Sequence, residues 1–290
     1  MTITEALRRM AEALEEADVE DARREARLLL LQALDLDLAG LITHENRPLG
    51  GAAARAETLL ARRCRHEPLS RILGWREFFG LDFALNAATL DPRPDTETLV
   101  EVVLNHCAQR GTTEGGLEIL DIGTGTGAIL IALLSRLPGA RGLGVDLSPD
   151  AVRMAQQNAG ALGEKLGGGL AGRARFCVGD VMEGLAGPFD IIVSNPPYIP
   201  AGEIDRLEPE VRLHDPRLAL DGGPDGLDFY RKITRDAASR LVPGGFLALE
   251  VGFGQAQAVA AMMRDASYLD IQIARDLGGI ERVVSGVAPG

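Results

Sequence analysis

The stretch from Phe189 to Ile199, F-D-I-I-V-S-N-P-P-Y-I, constrains the fold more than any other. It opens as a run of apolar and β-branched residues, the pattern of a strand buried on both faces, which a chain can satisfy only with a layer packed on each side. The run stops at Asn195-Pro196-Pro197-Tyr198. Neither proline can donate to a ladder, and each holds the residue before it extended, so the strand ends there. What remains is a stiff corner carrying two acceptors, the Asn195 side-chain oxygen and the Pro196 carbonyl, with Tyr198 available to cover a flat group. Such a corner can present an amide or amine nitrogen; its plain alternative is a strand-ending turn with two prolines.

Upstream segments repeat the strand pattern. Leu117 to Asp121, Arg141 to Leu147 and Arg175 to Val178 read as strands, as do Gly245 to Val251 and a closing antiparallel pair, Leu269 to Asp276 with Arg282 to Val287. Helical segments alternate with the first of these, among them Ala128 to Leu137 and a helix opened by Ser148 as N-cap with Pro149 at its first position. Alternation of this kind predicts an α/β fold with a mainly parallel sheet. Asp121, Gly123, Asp146, Asp180 and Asn195 then all fall at strand carboxyl ends, where such sheets bind ligands.

The loop after the first of these strands, Gly123-Thr124-Gly125-Thr126-Gly127, has glycines that let a ligand approach the backbone. With Asp146 placed 25 residues beyond Asp121 to take ribose hydroxyls, it suits a dinucleotide or an adenosine cofactor. A dehydrogenase would also need a hydride-handling pair, and His214-Asp215 is the one candidate, better read as a loop salt bridge. The Asn-Pro-Pro-Tyr corner favours a methylsulfonium donor, S-adenosylmethionine, with Asp121 placed to meet its amino group.

Ahead of this half, Leu7, Met10, Ala11 and Leu14, then Ala26, Leu29, Leu30, Ala33 and Leu34, recur at helical spacing, and a third helix is expected from Ala52 to Arg65. Arg76 to Leu85 reads as two short strands turning near Gly80, and Asp95 as the N-cap of a helix from Thr96 to Cys107. Between Arg55 and Glu77 the chain carries six arginines against three glutamates. That run suits a docking face, with Arg62, Arg63 and Arg65 in it, or a merely solvated helix. The net charge of −12 argues against general nucleic-acid binding. Cys64, Cys107 and Cys177 show no metal-ligand or disulfide spacing, so no metal is expected. With neither a signal peptide nor a spanning segment, a cytoplasmic location and no membrane partner are expected.

Together, the Asp121–Gly127 loop and the Asn195–Tyr198 corner resemble those of S-adenosylmethionine-dependent amino-methyltransferases. The match narrows with H-E-P-L-S-R-I-L-G from His66 and Glu77-Phe78, then L-D-P-R-P-D-T-E from Leu90, and D-G-G-P-D-G-L from Asp221 with Tyr230-Arg231. Over essentially its whole length the chain resembles the release factor glutamine methyltransferases (PrmC/HemK family). That resemblance implies a helical substrate-docking domain over 1–75, a β-hairpin and linker over 76–95 and a seven-stranded Rossmann-like methyltransferase domain over 96–290. It implies class 1 peptide-chain release factors as protein substrate, methylated at N5 of the glutamine in their Gly-Gly-Gln motif, without direct nucleic-acid contact. Gly123, Thr124, Gly125, Thr126 and Gly127 would bind the cofactor, Asp146 its ribose and Asp180-Val181 its adenine. Asn195, Pro196, Pro197 and Tyr198 would hold the glutamine, Asn195 also facing the cofactor. A ribosomal-protein glutamine methyltransferase and a nucleic-acid exocyclic-amine methyltransferase are the alternatives.

Overall fold

The computed structural model describes residues 1–166, 169–170, 172–185 and 187–290. In chain order the elements are α1 Ile3–Glu16, α2 Ala22–Leu34, α3 Leu38–Thr43, α4 Ala53–Arg63, α5 Leu69–Leu73, β1 Trp75–Phe78, β2 Leu81–Ala84, α6 Glu97–Gln109, β3 Glu118–Ile122, α7 Ala128–Arg136, β4 Arg141–Asp146, α8 Pro149–Lys165, β5 Ala174–Val178, β6 Phe189–Ser194, α9 Pro209–His214, α10 Asp228–Ala237, β7 Leu241–Glu250, α11 Ala256–Asp265, β8 Leu269–Arg275 and β9 Glu281–Val287. Among the described residues no helix is long and apolar enough to cross a membrane. The chain divides into two compact units, one of Met1–Trp75 with Glu208–His214, the other of Arg76–Leu207 with Asp215–Gly290.

The first unit is helical. Thr2 and Glu5 form a capping box that starts α1: the Glu5 N–H donates to Thr2 Oγ1 at 3.2 Å and the Thr2 N–H to Glu5 Oε2 at 2.8 Å. Ala6, Met10 and Leu14 of α1 pack with Ala26, Leu29 and Leu30 of α2 and with Leu59 and Leu60 of α4. Arg63 corrects the expectation of a basic contact face. It is buried, donating to Glu25 Oε2 at 2.5 Å and to Glu210 Oε1 at 2.7 Å. Arg62 pairs with Glu67, and of the three arginines only Arg65 is exposed. Sequence spacing gives the face of a helix, but α4 packs inside a bundle and turns one of its arginines inward.

The second unit is built on a seven-stranded sheet in the order β5-β4-β3-β6-β7-β9-β8, parallel except for the pairs that β9 makes with β7 and β8. Its strands alternate between two cores with period two. Ile119, Ile191, Val193 and Ala248 face α6, α7 and α8, while Leu120, Ile192, Leu247 and Leu249 face α10 and α11. Both faces are covered, as the apolar run in β6 requires. β7 starts earlier than Gly245, because Leu241 pairs with Phe189 across a bulge. The hairpin turns through Phe79 and Gly80, both at positive φ, and Phe78 and Phe83 insert into the first core.

Asp95 is not an N-cap. Pro94–Thr96 forms a 3₁₀ turn that runs straight into α6, so Asp95 lies inside the turn and pairs with Arg282 Nη2 at 2.8 Å. By contrast, Ser148 caps α8 as its sequence predicts, accepting from the Ala151 N–H at 3.3 Å.

Candidate active site

Strand order reverses between β3 and β6, the position where open α/β sheets leave a crevice beyond their carboxyl ends. A cavity of about 540 Å³ lies there, within the usual range for small-molecule sites. Gly123, Thr124, Gly125, Thr126, Asp146, Asp180, Val181, Asn195, Pro196 and Pro197 all line it. The tertiary structure thus gathers most of the sequence-predicted residues around one space.

The glycine loop forms its floor. Gly123, Gly125 and Gly127 have φ of +70°, +55° and +81°, values that L side chains rarely adopt. The N–H groups of Gly123 and Thr124 donate to the Val145 carbonyl at 2.8 and 3.0 Å, and the Gly125 N–H donates to Asp146 Oδ2 at 2.9 Å. Asp146 Oδ1 accepts from the Ser148 N–H at 2.9 Å, so one carboxylate at the end of β4 braces both the loop and the start of α8. Burial raises its pKa. Gly144 leaves room for this arrangement, since a Cβ there would fall 2.7 Å from Thr124 Oγ1 and 2.5 Å from Phe176 Cδ1.

Three predicted site residues do not line the cavity. Asp121 stands behind the loop, fully buried, with Oδ2 accepting from Thr124 Oγ1 at 2.6 Å and Oδ1 without a hydrogen-bond partner among the described residues. Burial pushes its carboxyl up to about 7, the Thr124 bond acting against that rise. Gly127 lies where α7 and α8 approach, and a Cβ would meet Ile131 Cδ1 at 3.0 Å and Ala155 Cβ at 3.2 Å. The half-buried Tyr198 ring packs against the core on the α10 and α11 side of the sheet. Its carbonyl accepts from Gln255 Nε2 at 2.9 Å.

Val181 sits at φ +55°, an outlying conformation for a β-branched residue, with its side chain on the cavity wall. Asp180 Oδ1 pairs with Lys232 Nζ at 3.0 Å. Burial works to lower the Lys232 pKa, and Asp180 and Glu183 outweigh it and hold it above its ordinary value. Asp215, expected beside His214 in a loop salt bridge, pairs with Arg93 Nη2 at 2.7 Å.

Several supporting residues lie outside both the glycine loop and the corner. Asn158 of α8 donates to the carbonyls of Ala84 and Thr126 at 3.1 and 2.9 Å, and accepts from the Ala84 N–H at 2.9 Å, joining β2 to the glycine loop. Thr96 accepts from Asn195 Nδ2 at 3.2 Å. That bond turns the nitrogen end of the Asn195 carboxamide into the protein. Asn, Thr and Gln residues of this kind look ordinary in a sequence, and only proximity in space gives them a role.

The cavity's electrostatics discriminate between ligands. Asp91, Asp146, Asp180, Asp221 and Asp228 line it, against Arg93 and Lys232. Such a wall opposes a pyrophosphate and favours a ligand carrying positive charge. The apolar side chains of Ile122, Ile129, Val145, Leu147, Val181 and Ile233 supply a surface for a flat ring. With the orphaned Asp121 Oδ1 behind the loop, this donor set fits an adenosine bearing cationic groups.

The sheet order and the glycine loop under its switch point define the Rossmann-like methyltransferase class. A solved methyltransferase from Pyrococcus furiosus shares the fold with a TM-score of 0.51, covering 79% of this chain and 99% of its own at 19% identity. Residues 5–74 match the PrmC N-terminal domain family and residues 95–207 the methyltransferase small domain family. A release factor glutamine methyltransferase from Bradyrhizobium diazoefficiens is 49% identical over 98% of this chain and 94% of its own length. One of the same name from Rhodospirillum rubrum is 50% identical over 95% of this chain and 82% of its own. The chain belongs to the release factor glutamine methyltransferase family.

Proposed function

We propose that this protein methylates N5 of the glutamine in the Gly-Gly-Gln motif of class 1 peptide-chain release factors, using S-adenosylmethionine. The observation that carries this reading is the corner. Asn195 and Pro196 line the same cavity as the glycine loop, and Asn195 already turns its own nitrogen away from that space. The bound cofactor would supply an electrophilic methyl group on a sulfonium. Gly123 to Thr126 and Asp146 would hold it, with Asp180 and Val181 at the adenine end; Asp121 and Gly127 act from behind the loop.

An amide nitrogen is a poor nucleophile, because its lone pair is delocalised into the carbonyl. Asn195 Oδ1 and the Pro196 carbonyl accept its two N–H bonds and favour the geometry in which that delocalisation is lost. Holding the nitrogen fixed also removes the entropy of a chance encounter, worth some 7–11 kcal/mol in favourable systems. Tyr198, packed against the core, keeps the corner rigid, and the apolar wall excludes water.

Many side chains and bases present a flat –NH2 group, so the corner alone cannot choose a release factor. Residues 1–75 supply the remaining recognition, with binding energy far from the reacting nitrogen used to order the loop that carries it.

The test is transfer of labelled methyl from S-adenosylmethionine to a folded release factor, a Gly-Gly-Gln peptide, ribosomal protein and adenine-containing nucleic acid, with the product mapped by mass spectrometry. The folded release factor should be modified at its glutamine and far faster than the peptide. Label on ribosomal protein or nucleic acid in place of the release factor would overturn the reading.

A further inference from the structure

Glu250 is a buried acid to which the reaction as outlined gives no part. It ends β7, is 2% exposed, and its Oε2 has no hydrogen-bond partner among the described residues. The β6–β7 register pairs Ser194 with Leu249 and so brings Glu250 beside Asn195. Thr96 and Asn195 both act against the rise that burial imposes on the Glu250 carboxyl, and Thr96 Oγ1 accepts from Asn195 Nδ2 at 3.2 Å. One hydrogen of the Asn195 amide is thus taken by Thr96, and the orphaned Glu250 carboxylate stands where it attracts the other. Arg282 lies nearby but is committed elsewhere, to Asp95 at 2.8 Å and Asp276 at 2.9 Å.

A carboxamide has nearly the same shape either way round, so its hydrogen-bond partners alone decide which end faces a ligand. If Asn195 turned over, its NH2 would meet the substrate's NH2, donor against donor. A neutral apolar residue at position 250 would avoid the desolvation of a buried acid, but it could not impose an orientation. We infer that Glu250 is a positioning residue which, with Thr96, holds Asn195 so that Oδ1 alone faces the substrate nitrogen. This inference rests on the role proposed for the corner.

Burial also pushes the Glu250 carboxyl up to about 7. The ionisable groups facing it are Asp95 ahead of α6, Tyr198 beyond β6, Tyr230 of α10 and Arg282 of β9. The ionised acid accepts without donating, so it is the form that fixes the amide, and kcat should rise with pH through that region.

The experiment compares full-length wild type, Glu250→Gln, Asn195→Ala, Asn195→Asp and the double variant Asn195→Asp/Glu250→Gln on a folded release factor. The Glu250→Gln change keeps the shape but offers one acceptor and brings two donors, so kcat should fall about 100-fold, the cost of a small misplacement at a reacting group. Its KM and its affinity for S-adenosylhomocysteine should stay near wild type, and the limb of the pH profile near 7 should disappear. In Asn195→Asp two acids face each other. In the double variant the carboxamide introduced at position 250 donates to the new acid, which still offers the substrate an acceptor, so activity should recover at least about tenfold over Asn195→Asp. Additive losses would mark Glu250 as merely structural and overturn the inference, as would Glu250→Gln with kcat within twofold of wild type. Full activity in Asn195→Ala would instead sink the reading of the corner itself. Should Glu250→Gln fail to fold, Thr96→Val makes the test from the other partner. A kcat loss of about tenfold at unchanged KM supports the inference, and no loss refutes it.

Discussion

The two sides of the cavity are built by different physics. On one side the glycine loop is a backbone device. Gly123, Gly125 and Gly127 take positive φ values that L side chains rarely adopt, and the carboxylates of Asp121 and Asp146 clamp the loop through Thr124 Oγ1 and the Gly125 N–H. Across from it, the corner is a side-chain device. Pro196 and Pro197 stiffen it, and Asn195 is aimed by Thr96 and Glu250, which come from distant parts of the chain. The loop takes shape on its own glycines against the neighbouring strand β4, and the corner needs three elements in register. A change in the loop should therefore alter binding, and one in the corner should alter rate.

The largest effect should come from Asn195→Ala. Removing an acceptor whose bond tightens in the transition state should lower kcat by roughly 10²–10³-fold. Calorimetry should find S-adenosylhomocysteine affinity nearly unchanged; a parallel loss of affinity would erase the division between the two sides.

Asp146→Ala tests the loop side. Loss of its charge-assisted bonds should weaken cofactor binding by about 1.5–3 kcal/mol, with kcat at saturating cofactor largely kept. Unchanged affinity would remove Asp146 from the site.

A subtler variant is Gly127→Ala, because this residue packs behind the cavity. A Cβ at φ +81° that meets Ile131 and Ala155 should cost about 1–2 kcal/mol of stability. Cofactor affinity should fall with it as the loop shifts. A thermal midpoint equal to wild type would show that the helices yield there.

The last test concerns Asp121, and its outcome depends on pH. Its folded-state pKa, about 7, lies above the ordinary 3.8. Its stabilising contribution is therefore complete below the unfolded value and is lost as pH rises through about 7. Ligand-free wild type should lose thermal stability between about pH 4 and 7. Asp121→Asn should lose less, the difference approaching about 1.4 kcal/mol per pH unit at most. Identical slopes for the two proteins would show that Asp121 does not titrate in this range.

How much of this could be read in advance differs between the two sides for the same reason. Three glycines within five residues, following a strand and preceding a helix, announce a ligand-cradling loop because each constraint is local. The corner's prolines are equally local, and so was the two-faced strand before them. Asp95 and Arg63 misled because capping and exposure depend on what lies next to a helix, not on its period. Pro94 starts a 3₁₀ turn that absorbs Asp95, and the helices around α4 bury Arg63.

Sequence by itself thus determined the alternation of elements, the position of the glycine loop, the end of β6 and the acceptor types at the corner, since spacing and backbone stereochemistry set all of these within a few residues. Only the tertiary structure decided that Asp121 stands behind the loop, that Tyr198 packs against the core on the α10 and α11 side, and that Thr96 and Glu250 converge on Asn195. Thr96 and Asn195 are 99 positions apart in the chain, and relations of this kind exist only once the sheet has packed and excluded water from the groups it buries.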